Sequence, residues 1–171
     1  MSRADSKSGR PGMHTDELAG FSIFAGLSPR QLAELAPIFW REQRAAGDHV
    51  FAQGDEALNI YIVVSGEIGL RFFPYDGGHL DIETIWPGGV FGWSAALGRP
   101  QYTSAAVCNT PVELIATRGA DLRRLMRRDK QLGVLLLDRM AQIVAHRLES
   151  FRAQLVALLN VEAETDRPNP R

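Results

Sequence analysis

Apolar residues fall into three successive patterns along the chain. The first is helical. Leu32, Leu35, Ala36 and Phe39 recur at three- and four-residue steps. They follow Leu27-Ser28-Pro29, where Ser28 suits a helix cap and Pro29 the first helical position. Thr15 caps a shorter predicted helix over Asp16–Phe21. The second pattern, from Phe39 to about Ala116, has a period of two. Ile60, Ile62 and Val64 alternate onto one face; Ile68, Leu70 and Phe72 interleave with Glu67 and Arg71; Leu80 and Ile82 alternate with Asp81 and Glu83. Gly47-Asp48, Gly54-Asp55, Gly66-Glu67, Gly77-Gly78 and Gly88-Gly89 punctuate these runs. Turns spaced roughly 7–12 residues apart predict an all-β sandwich, roll or barrel.

The third pattern is helical again. A short helix over Asp121–Arg128 is predicted to bury Leu122, Leu125 and Met126. A longer one, about Lys130–Leu159, carries the stripe Leu132, Leu136, Met140, Ile143, Phe151, Leu155 and Leu158, interrupted by Arg147. Such a helix of about 28 residues extends roughly 42 Å, more than a small β domain covers. The overhang predicts a homodimer through the C-terminal helix.

Composition narrows the function classes. The 171 residues suffice for one domain with a real core. A formal net charge of -1 gives no basic excess suited to nucleic acid. The single cysteine, Cys108, permits no intrachain disulfide and fits a reducing cytoplasm. Apolar runs such as Val134–Leu137 fall far short of the roughly 18 residues a membrane span needs. Residues 1–14 are polar and lack the apolar core of a signal peptide, so a disordered leader is expected there. A loose tail is expected over 160–171. The domain proper is then 15–159. His14, His49, His79 and His146 are scattered without metal-ligand spacing, and no Ser-His-Asp set has motif context, so neither a metal centre nor an enzyme is expected. The Arg123, Arg124, Arg127, Arg128 and Lys130 cluster reads as the solvent face of the short helix.

Three segments carry a family likeness: Ala46-Gly47-Asp48-His49-Val50-Phe51-Ala52-Gln53-Gly54-Asp55, Ile60-Tyr61-Ile62-Val63-Val64-Ser65-Gly66-Glu67-Ile68, and Pro87-Gly88-Gly89-Val90-Phe91-Gly92. Together with the order of helices and strands, they resemble the cyclic nucleotide-binding domain, from about Phe21 to Leu158. The resemblance implies a mainly β fold with flanking helices (α+β). This is an eight-stranded β-roll or jelly roll with short N-terminal helices and a long C-terminal helix. It also implies a phosphate-binding cassette beginning at Gly92. There a glycine lets the backbone approach the ligand, and a short helix offers its N–H groups.

The cassette departs from the family in two places. Trp93 stands where the family has a ribose-binding Glu, and Thr103 where it has a phosphate-binding Arg. Each lost charged partner costs about 1.5–3 kcal/mol. Losing both weakens cAMP or cGMP binding on the order of a hundredfold or more. The remaining anion candidates are the backbone N–H groups of Ser94 and Ala95, the hydroxyls of Thr103 and Ser104 beside Ala105, and Arg99. Arg99 has two readings, a solvated loop residue or a substitute for the missing Arg. Trp93 likewise either stacks on a planar ligand or fills the vacated pocket. By the resemblance the terminal helix reads the base, which makes Arg147, Phe151 and Arg152 candidates there.

The expected function is a non-catalytic, stand-alone regulatory sensor for a cyclic nucleotide or other small anionic ligand, read out by a dimer mate or a separate output protein. The alternative is a pseudo-sensor, in which the roll serves dimerisation or docking and Trp93 fills the pocket. The dozen residues after Leu159 leave no room for a helix-turn-helix module, so no DNA contact is expected.

Overall fold

The computed structural model describes residues 12–75 and 77–165, with side chains through 146 and at 148, 149 and 152. Eight strands form two four-stranded antiparallel sheets, as the resemblance implies. The first sheet, in the order β1-β8-β3-β6, joins Phe39–Arg44, Val112–Arg118, Asn59–Ser65 and Val90–Phe91. The second, in the order β2-β7-β4-β5, joins His49–Phe51, Ala105–Cys108, Ile68–Phe72 and Leu80–Ile85. Five helices accompany them: α1 (Thr15–Ala19), α2 (Pro29–Leu35), α3 (Trp93–Ala96), α4 (Gly119–Arg128) and α5 (Lys130–Thr165).

Strand alternation gives the first sheet two apolar faces. Ile60 and Ile62 of β3, Val90 of β6 and Ile115 of β8 face outward to a cluster shared with the helices. Tyr61 and Val63, Phe91 and Leu114 face inward and meet Ile68, Leu70, Ala106 and Cys108 of the second sheet. A sheet buried on both faces reads as a nearly continuous apolar run, as Ile60–Val64 does.

Caps and an ion pair between helices join the helical layer. Ser28 accepts from the Gln31 amide while Gln31 reaches back to Ser28, a reciprocal capping box with Pro29 at the first position. Gln31 donates to Asp129 at 3.1 Å, and Arg128 pairs with Glu34 at 2.8 Å, tying α2 to the α4–α5 junction. Leu132, Leu136 and Met140 bury one stripe of α5 against this layer.

Several expectations shift. The first helix begins at Thr15 itself, with His14 as its cap, and ends at Ala19. Residues 13 and 14 of the expected leader belong to the fold: Met13 is buried and its amide bonds to the Ala36 carbonyl at 3.0 Å. Residues 1–11 lie outside the described part. Helix α5 runs to Thr165, beyond the expected Leu159. Phe72 and Leu80 are exposed; they pair with each other at the hairpin end of β4 and β5, beyond a register irregularity between Leu70 and Arg71. The arginine cluster is engaged locally: besides Arg128, Arg124 pairs with Asp121, and Arg123 donates to the Ala95 carbonyl.

Candidate functional site

The cassette is the segment from Gly92 to Ala105, between β6 and β7. Gly92 turns the chain with φ +82°, the left-handed region glycine favours. A Cβ there would lie 2.8 Å from the Asn59 carbonyl oxygen, so the position also needs close backbone approach to β3. The four residues of α3 follow. Internal bonds hold the turn: the Ala95 amide donates to Gly92 at 3.1 Å, Leu97 to Trp93 at 2.9 Å and Arg99 to Ser94 at 2.8 Å. The Ala95 N–H expected to serve an anion is therefore taken by the Gly92 carbonyl. Gly119, opening α4, sits where any Cβ would collide with the Ala95 carbonyl.

The other candidate side chains divide by environment. Ser94 and Ser104 are half-buried; Thr103 and Arg99 are exposed. None of these four side chains makes a hydrogen bond or ion pair among the described residues. Ala95 and Ala105 are buried, Ala95 in the inner cluster with Ala106 and Tyr102. The two flanks of the cassette thus share one packed interior. Arg147 and Phe151 lie on α5 with side chains outside the described part, so their expected role goes without structural comment.

Trp93 packs on the outer side of the cassette. Residues 93 and 96 of α3 face one way and 95 the other. Trp93 and Ala96 therefore join the outer cluster and Ala95 the inner one. Only 9% of Trp93 is exposed. With Ile60, Val90, Leu122, Leu136 and Met140 it lines an apolar cavity of about 20 Å³, and its buried indole N–H has no hydrogen-bond partner. Trp93 links the cassette to α4 and α5 instead of filling the roll.

Other rings fill the roll beside the cassette. Phe51 and Tyr102 stack with centroids 3.6 Å apart, Tyr61 and Phe91 at 5.1 Å. Tyr102 donates its hydroxyl to the Asn59 carbonyl at 2.7 Å and accepts from the Asn59 amide at 3.0 Å. Burial pushes its phenol well above the ordinary tyrosine range, and burial likewise raises Tyr61. Sequence reading passed over Tyr102, and the only available signal was an aromatic residue directly before the candidate Thr103-Ser104. Cys108 is buried in β7, and burial pushes its thiol up to about 11.

Residues 41–129 match the family model described as "Cyclic nucleotide-binding domain". The chain belongs to this family. It is 28% identical over 146 residues to the cyclic AMP receptor protein of Thermus thermophilus, covering 85% of this chain and 66% of that protein. The chain thus spans slightly less than two thirds of that relative. The structure is similar to the N-terminal domain of a transcriptional regulator from Streptomyces coelicolor, with TM-score 0.62, 25% identity, and coverage of 72% of this chain and 89% of that one. It is also similar to a cyclic nucleotide-binding domain from Methylobacillus flagellatus, with TM-score 0.74, 14% identity, and coverage of 87% and 88%. At that identity the likeness concerns the fold alone. No groups of His, Cys, Asp or Glu suited to a metal ion occur among the described residues, and no described helix is long and apolar enough to cross a membrane.

Proposed function

We propose that this cyclic nucleotide-binding-type regulatory domain senses a small anionic ligand through hydroxyl groups of its cassette and passes the event to α5 through Trp93. The observation that carries the reading is the pairing of two features in one 14-residue segment. Ser94, Thr103, Ser104 and Arg99 present polar side chains without protein partners among the described residues. Trp93, beside them in the chain, is packed against Leu136 and Met140 of α5. Hydroxyls and one exposed guanidinium stand in for the family's Glu and Arg, so affinity for cAMP and cGMP is expected to be lower than the family pattern gives.

The readout runs through a second copy. Val134, Leu137, Val144 and Leu148 of α5 are exposed, as is Ala141, and they alternate in steps of three and four along the helix. That rhythm suits the seam of a two-stranded coiled coil, on a face beside the stripe buried against the roll, with Val134 and Leu137 lining a groove next to α3 and α4. A ligand that favours one seating of α5 on Trp93 would bias how two such helices meet.

A second reading has its own support. The Phe51–Tyr102 stack occupies the roll interior beside the cassette, and a filled interior suits a pseudo-sensor kept for dimerisation. Thermal unfolding with saturating cAMP, cGMP, cyclic dinucleotides and inorganic phosphate separates the two. A ligand at a hundred times its dissociation constant adds about 2.7 kcal/mol. For a domain of this size that raises the melting temperature by roughly 5–12 °C. No shift with any of them favours the second reading.

A further inference from the structure

Both ends of the cassette meet one residue of β3. Gly92 must lack a Cβ because the Asn59 carbonyl oxygen lies 2.8 Å from where that atom would sit. Ten residues on, the Tyr102 hydroxyl donates to the same carbonyl at 2.7 Å and accepts from the Asn59 amide at 3.0 Å. The Asn59 side chain in turn donates to the Tyr61 hydroxyl at 3.3 Å. Main-chain bonds fix Tyr102 from both sides: its amide donates to Asp55 at 3.0 Å, and its carbonyl accepts from Gly54 at 2.9 Å. The Phe51 ring lies flat against it, tilted by 11°.

These bonds use the donor of the phenol and one of its acceptor sites on the backbone of another strand. Tyr102 is therefore not a ligand contact. Its neighbours Thr103 and Ser104 are the residues with unengaged hydroxyls, and their place follows from where Tyr102 is held. Resting on the anion-sensing reading above, we propose that Tyr102 is the positioning residue of the cassette. Its clasp on Asn59 ties the segment that carries Thr103 and Ser104 to the same β3 residue that the Gly92 end approaches, before any ligand arrives. The site is thus preformed. Ligand binding spends little on ordering the loop, which lets the cassette hydroxyls and Arg99 give useful affinity.

The test compares Tyr102→Phe with Phe51→Leu in the full chain, by amide exchange without ligand and by titration with inorganic phosphate. Tyr102→Phe keeps the ring and removes the clasp; Phe51→Leu removes the stack and keeps the clasp. The amides of Ala95, Leu97 and Arg99, all bonded within the cassette, report its opening. In Tyr102→Phe they exchange at least tenfold faster than in the wild type, and phosphate binds at least fivefold more weakly. In Phe51→Leu the melting temperature falls by at least as much, yet cassette exchange stays within twofold of wild type. The proposal is overturned if only the Asn59 amide accelerates in Tyr102→Phe, or if Phe51→Leu opens the cassette equally. Should the wild type take up no phosphate, the anion reading falls by itself, and the exchange comparison still decides the clasp.

Discussion

The two faces of the β1-β8-β3-β6 sheet are both apolar, but they are held in different ways. On the inner face polar atoms are committed: the Tyr102 hydroxyl bonds the Asn59 main-chain amide and carbonyl, and the Asn59 side chain donates to the Tyr61 hydroxyl. On the outer face Ile60, Ile62, Val90 and Trp93 meet α4 and α5 through aliphatic contact, and the one buried indole N–H there is unpartnered. Hydrogen bonds specify a single geometry, whereas apolar contact tolerates small shifts of a packed helix. On the proposed reading, the inner face sets the shape of the cassette and the outer face is where α5 shifts.

Trp93→Ala breaks the contrast most severely. It removes the largest side chain joining cassette to α5, and a cost of about 3–5 kcal/mol is expected, read by denaturant unfolding. A cost below about 1 kcal/mol would mean that Trp93 does not hold the outer layer. Next, Val144→Asp or Leu148→Asp is expected to weaken self-association at least tenfold in sedimentation, with the melting temperature of the domain changed by only a few degrees. A wild type that is monomeric at micromolar concentration contradicts the seam.

A pH effect sharpens the inner side. The Cys108 thiol is raised from 9.0 to about 11 in the folded protein. The unfolded chain therefore releases this proton first. Stability from the neutral thiol is intact below pH 9 and declines as pH rises from 9 towards 11. Cys108→Ala should flatten that part of the alkaline limb in melting temperatures taken from pH 8 to 11. The smallest expected effect is that of Trp93→Phe. It keeps a ring and removes the unpartnered N–H, so the lost contact and the relieved desolvation offset within about 1 kcal/mol. A loss above about 2 kcal/mol would mean that the indole N–H has a partner in solution.

The fold was legible because its signals are local. Ser28-Pro29 marks a helix start, glycine turns part the strands, and β3 reads as a nearly continuous apolar run. The site was less legible because its decisive contacts are not local. Tyr102 reaches a partner 43 positions away, which no spacing rule along the chain exposes. The direction of Trp93 depends on a four-residue helix, too short to show a period. Phe72 and Leu80 misled because they pair at the exposed hairpin end of β4 and β5, which an alternation in the letters does not reveal.

The most direct test of the account follows the emission of Trp93 alone, in a Trp40→Phe, Trp86→Phe background, during titration with cAMP, cGMP and inorganic phosphate. The account predicts a saturable change with at least one of them, abolished by replacing Thr103 and Ser104 with alanine. Unchanged emission with all three, at concentrations that saturate any measured binding, would contradict the coupling of cassette to α5.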